Sequence, residues 1–204
     1  MIIQRTWFYL MMALGLTGLW TGCLGTTPAA VFYTLSPMER VSDPGPINWP
    51  GKMAIGIGPV KFPDELDRTS IVTRTGRNRL QINEFRRWGG SLEKNVTRVM
   101  EENLALLLKT DQIMARPWER HFQPDIRIAL DIRQFDGRLG EYAFLNATWM
   151  IVDPDGEVTR LVRRTIIQET VEDDGYDALV AAQSRALAGL CREIATVLSE
   201  RLAN

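Results

Sequence analysis

Apolar and polar positions along the chain predict two long helices and a set of strands. Val31 to Leu35 (VFYTL) reads as a first short strand. Ser36 to Gly51 carries Pro37, Pro44, Gly45, Pro46 and Pro50, so it is a loop. Met53 to Phe62 places Ile55, Ile57, Val60 and Phe62 around Pro59, which predicts a strand with its proline at an edge or a bulge. Ile71 to Thr75 and Leu80 to Asn83 flank a Gly-Arg-Asn turn as a hairpin. From Ser91 to Leu108 the period lengthens: Leu92, Val96, Val99, Met100, Leu104, Leu107 and Leu108 share one helical face. Gly89 and Gly90 break the chain before that helix and Ser91 is placed to cap it, although Lys94 stands where a capping box wants Glu.

A short strand in QIMARP follows, and then the period returns to two. Asp125 to Phe135 sets Ile126, Ile128, Leu130 and Ile132 against Asp125, Arg127, Asp131 and Arg133, the signature of a strand with one wet side. Tyr142 to Val152 and Val158 to Val171 are two more strands, joined through Asp153 to Gly156 (DPDG). Tyr176 to Leu202 is a terminal helix with the stripe Leu179, Leu187, Leu190, Ile194, Val197. Two amphipathic helices must bury their stripes, and a half-apolar sheet is their natural partner. The expected fold class is α+β: a largely antiparallel, twisted sheet with both long helices packed on one face. Residues 31–204 show no repeat and no internal boundary, so one domain is expected there.

The first residues follow a different logic. Arg5 and the α-amine precede an apolar run from Trp7 to Leu19, thirteen residues, where a membrane-spanning helix needs about 20. The run fits the apolar region of an export signal over residues 1–22. Thr21 and Gly22 are small, and Cys23 follows them. Residues 19–23 resemble a bacterial lipobox, with Trp20 where an aliphatic residue is usual and Leu19 one position early. That resemblance implies cleavage before Cys23 and acylation of its sulfur and amine. Two or more chains anchor a protein stably where one does not. Leu24 after the cysteine implies sorting to the outer membrane. An uncleaved anchor helix or a plain secretory signal is the alternative. Residues 23–30 are then an acylated cysteine and a short tether, which reaches about 25 Å fully extended.

Composition narrows the chemistry. The chain of 204 residues has 45% hydrophobic and 24% charged residues and a formal net charge of −1, so it advertises no nucleic-acid surface. Two cysteines and one histidine leave no zinc constellation. Cys191 lies on the apolar stripe of the last helix and reads as a small core residue, leaving an exported chain without disulfides. His121 sits in a proline-flanked loop with no Gly-x-Ser-x-Gly elbow to serve. Gly56 to Val60 (GIGPV) lacks the later Gly-Lys-Ser/Thr of a phosphate loop. Glu101–Glu102 and Asp173–Asp174 are adjacent pairs and do not face each other. No catalytic residues and no metal site are assigned.

One polar stretch stands out, Phe62 to Leu92, with Asp67, Arg68, Arg74, Arg77, Arg79, Arg86, Arg87 and Trp88. A solvated arginine face is one reading. A docking surface is the other, because Arg and Trp dominate interface hot spots. Asp67, Arg68, Arg74, Arg87 and Trp88 are its partner-binding candidates. Trp88, just before the glycine pair, also fits a core anchor for the following helix.

The same stretch carries a resemblance. Pro59–Val60 with Pro63, Leu66 to Arg74 (LDRTSIVTR), Leu80 to Trp88 (LQINEFRRW), Leu92 to Leu104 (LEKNVTRVMEENL), Phe135 to Gly137 (FDG) and Tyr176 to Ala195 together resemble the PqiC family of ABC-type transport auxiliary lipoproteins. The resemblance covers roughly the whole chain after the signal. It implies a non-enzymatic outer-membrane lipoprotein on the periplasmic face, needing no cofactor beyond the acyl chains on Cys23. The implied partner is an MCE-domain protein, which forms a conduit for lipids between membranes, and the implied role is in envelope integrity. The lipid anchor supplies the membrane contact, and a homo-oligomer is compatible with that role. The alternative from another class is an anchored periplasmic scaffold that activates a cell-wall enzyme or assembles a larger machine.

Overall fold

The structure, a computed structural model, describes residues 28–39, 49, 53–118 and 121–202. The export signal over 1–22, Cys23 and the tether as far as residue 27 lie outside the described residues. The elements run β1 (Val31–Tyr33), β2 (Ile55–Lys61), β3 (Ser70–Gly76), β4 (Arg79–Trp88), α1 (Leu92–Leu108), β5 (Ile113–Ala115), β6 (Ile126–Arg138), β7 (Tyr142–Val152), β8 (Thr159–Thr170) and α2 (Tyr176–Leu202).

The fold is α+β, with both helices against sheet. The strands divide between two sheets, in the orders β1–β4–β3 and β5–β2–β6–β7–β8. A period of two predicts which face of a strand is apolar, not which strand lies beside it, and so it could not separate the two. After β2, Pro63 and the turn at Asp64–Leu66 lead the chain out of the larger sheet, and the β3–β4 hairpin pairs with β1 instead. The long ladders β3–β4, β6–β7 and β7–β8 are antiparallel. β2 runs parallel to both β5 and β6, and β1 parallel to β4. Pro59 occupies a bulge: β2 is interior, and its register with β6 shifts between Ile57 and Val60.

Both helices cover the five-stranded sheet. α1 lies on β2 and β5, α2 lies on β6, β7 and β8, and the two helices touch. Ser91 caps α1, its hydroxyl accepting from the Lys94 N–H at 3.4 Å. Lys109 ends the helix in the left-handed region, and its N–H donates to the Ala105 carbonyl. Val96, Val99, Met100 and Leu104 are fully buried on α1, as are Leu179, Leu187, Leu190 and Ile194 on α2. Burial of each such aliphatic side chain is worth about 1.5–3 kcal/mol. Phe135, Asp136 and Gly137 form the joint of the whole assembly. Phe135 is buried in the core, and a Cβ on Gly137 would lie 2.3 Å from the Tyr142 carbonyl oxygen and 2.7 Å from Leu179 Cδ1. Only glycine lets α2 approach β6 and β7 there.

Cys191 sits at the α1–α2 contact, fully buried, with Asn103 Nδ2 at 3.9 Å from its sulfur. Asn103 also accepts from the Met38 N–H at 2.8 Å, tying the segment after β1 to both helices. Burial pushes the Cys191 thiol up to about 12, with Asn103 and Arg192 opposing. A protonated, enclosed thiol is a poor nucleophile. Cys191 is therefore expected to resist alkylating reagents until denaturant is added, measured by mass increase against time. Cys191→Ser is expected to cost about 1–3 kcal/mol in a denaturant melt, through a buried hydroxyl with weaker satisfaction.

Candidate docking surface

The β3–β4 hairpin positions the residues that the sequence singles out, and it separates them by role. β4 extends to Trp88, well past Asn83, because its second half pairs with β1: Val31 lies beside Arg86, Phe32 beside Arg87 and Tyr33 beside Trp88. On the other side Arg87 is opposite Ser70. Residues directly opposite share a face, so Phe32, Arg87 and Ser70 form one cross-strand row.

Trp88 belongs to the core. It is 4% exposed, its N–H donates to the Thr69 carbonyl at 2.7 Å, and the following Gly89 N–H donates to Tyr33. Arg74 is a strut between the sheets. Its Nε donates to Asp136 Oδ2 on β6 at 2.8 Å, with the Asp136 side chain only 3% exposed and Arg74 22%. Gln134 Nε2 donates to the other carboxylate oxygen at 2.8 Å, and Arg74 Nη1 reaches the Arg77 carbonyl at 3.2 Å. Burial pushes the Asp136 carboxyl above its ordinary value, while the Gln134 hydrogen bond and the Arg74 charge hold it down.

Arg87, Arg68 and Asp67 remain at the surface. Arg87 Nε donates to the Glu84 carbonyl at 2.7 Å, and its Nη2 lies 3.8 Å from the Glu84 carboxylate. Arg68 Nε donates to the Glu65 carbonyl at 2.8 Å. Asp67 closes the turn at Asp64 through its backbone N–H and lines a small cleft with Val60, Phe62, Leu66, Leu92 and Glu93. In Arg68 and Arg87 only one guanidinium nitrogen is committed to backbone, so both keep donors for an external carboxylate or phosphate.

Two residues of this region escape sequence reasoning. Asp136 lies just past the alternating strand read from Asp125 to Phe135, and it is buried. Phe32 lies in the first short strand, for which the pattern assigns no face, and is 64% exposed. The signal for Asp136 was its place in Phe-Asp-Gly, without a partner in view. None existed for Phe32, because a three-residue edge strand has too few positions to define a face.

A groove of about 490 Å3 runs between the segment after β1 and α2, past Ser36, Met38, Glu169, Ser184 and Arg185. Part of its polar lining serves the fold. The Ser184 hydroxyl donates to the Val180 carbonyl and accepts from the Ser36 N–H, and Arg185 spans Glu169 and the Thr170 carbonyl. Among the described residues, no three His, Cys, Asp or Glu side chains are grouped to hold a metal ion. Among them, too, no helix is long and apolar enough to cross a membrane.

A family model described as the ABC-type transport auxiliary lipoprotein component matches residues 33–195. Among solved structures, a DUF330 protein from Xanthomonas campestris superposes with a TM-score of 0.68 at 16% identity, covering 85% of this chain and 98% of its own. A second crystal structure, of an uncharacterised protein, gives a TM-score of 0.63 at 16% identity over 86% of this chain and 99% of that one. Both likenesses concern the fold. No curated protein shows significant similarity in sequence.

Proposed function

The chain belongs to the family of ABC-type transport auxiliary lipoprotein components, and from that premise we propose that it is a non-enzymatic outer-membrane lipoprotein. In this reading it faces the periplasm and partners an MCE-domain protein in moving lipids between membranes. Cys23 carries the acyl chains, and the single domain from residue 31 onward does the docking. The observation that supports this best is the extent of the family match, which runs from Tyr33 at the end of β1 to Ala195 within α2 and so takes in β2 to β8 and α1 whole. The surface chemistry agrees: Arg68 and Arg87 have guanidinium donors to spare.

Arg87, with Arg68 and Asp67 beside it, is the docking group in this proposal, while Arg74 and Trp88 support it from within. Exposed arginines contribute little to folding, commonly within about 0.5 kcal/mol. An interface arginine is worth about 2 kcal/mol or more of binding. Arg87→Ala and Arg68→Ala are therefore expected to melt like the parent and to lose most of their capture of an MCE-domain protein from detergent-extracted membranes. If the parent chain captures no MCE-domain protein, the transport role is wrong. If both variants capture as well as the parent, the docking surface lies elsewhere on the fold.

A further inference from the structure

We infer that the β1 edge of the three-stranded sheet, centred on Phe32, rests in the headgroup layer of the membrane that carries the lipid anchor. Phe32 is 64% exposed, the most exposed large hydrophobic side chain among the described residues, and its neighbour Val31 is also exposed. Single exposed apolar residues are ordinary on protein surfaces. The position of this one is not: only eight residues lie between it and Cys23. The segment between Cys23 and Val31 holds seven residues, which reach about 25 Å at full extension. An anchored chain thus keeps β1 within about 25 Å of the bilayer.

The surroundings of Phe32 suit an interface between water and lipid. Arg87 lies opposite it in the sheet and Arg86 opposite Val31. Arg86 faces the other side of the sheet, its guanidinium 5.8 Å from the Tyr176 ring centroid, where Tyr176 packs 6.1 Å from Tyr33. An exposed phenyl ring with one guanidinium, that of Arg87, in its own cross-strand row can put carbon among acyl chains while the charge stays at the polar boundary. Glu84 pairs with Arg87 at 3.8 Å and engages one Nη only. The other strongly exposed apolar side chains, Val158, Val162 and Ile166, lie on or beside β8 of the larger sheet, with no such tie to the anchor.

This inference rests on the lipoprotein reading, and its test separates the two. Phe32→Cys, Val158→Cys and Ile166→Cys, each in the full chain, are labelled with an environment-sensitive fluorophore and reconstituted in phosphatidylethanolamine–phosphatidylglycerol vesicles. The parent chain, whose Cys191 is enclosed and whose Cys23 is acylated, serves as the unlabelled control. Vesicles with and without lipids carrying a nitroxide near the headgroup report contact. The label at position 32 is expected to shift to the blue and to be quenched at least two-fold more than those at 158 and 166. Equal quenching at the three positions overturns the inference while leaving the anchor intact. A chain that washes off the vesicles in alkaline carbonate overturns the anchor itself, and the inference with it.

Discussion

Arg74→Ala is expected to cost about 3–5 kcal/mol of folding stability, far more than an arginine at a hairpin surface ordinarily contributes. The reason is the partner. Asp136 is 3% exposed, and Arg74 is the only cation that an ion pair brings to it among the described residues. Removing the guanidinium leaves a carboxylate enclosed between the two sheets with Gln134 as its remaining side-chain donor. A buried pair is costly to break and cheap to replace, so Arg74→Met together with Asp136→Leu is expected to recover most of the loss. A urea melt of the three variants measures this. If Arg74→Ala melts like the parent, the strut is not load-carrying and Arg74 returns to the docking candidates.

The pH dependence gives the same prediction a second readout. Burial holds the Asp136 carboxyl above its ordinary 3.8, so the folded chain binds that proton more tightly than the unfolded chain does. The stability this group contributes is full below the unfolded value and is lost as pH rises through the folded value. Removing Arg74 takes away one of the interactions that lower the folded value and pushes it further up. The deficit of Arg74→Ala relative to the parent should therefore shrink as pH falls from about 7 toward about 4. Adding Asp136→Asn to Arg74→Ala should flatten that dependence, because the titrating group is gone.

The two helices and the strands β6, β7 and β8 were legible because each carries many residues of one period. Leu92 to Leu108 repeats its apolar face over more than four turns, and Ile126 to Ile132 alternates except at Ala129. Such patterns report burial on one face, which is a local property. The sheet division was not legible, since strand neighbours are chosen by where loops lead the chain. The same limit explains the site. Arg68, Arg74 and Arg87 are chemically identical in sequence, and only the fold tells them apart: one faces a buried carboxylate on β6, and two keep free donors at the surface. The family resemblance was legible for a different reason. Its motifs mark places where the fold has little latitude, such as Gly137 beneath Leu179 and Trp88 between Tyr33 and the α1 cap.

Trp88→Ala is expected to destabilise the domain by about 3–5 kcal/mol, as for other large aromatic truncations in a core. Trp88 is 4% exposed and joins three parts of the chain. Its backbone is held by Thr69 on one side and lies in register with Tyr33 on the other, and Gly89 and Gly90 then lead directly into α1. Emptying that site leaves a cavity beneath the point where β1, β4 and α1 converge, and the two glycines beside it offer no side chain to collapse into it. Trp88→Phe fills much of the volume and is expected to cost less than half as much. Capture of an MCE-domain protein should then follow folding: lost with Trp88→Ala at temperatures where it is unfolded, and kept with Trp88→Phe. Arg87→Ala should give the opposite pairing, a parental melt with lost capture. If Trp88→Phe folds fully yet fails to capture, the indole itself meets the partner, and the assignment of Trp88 to the core alone is wrong.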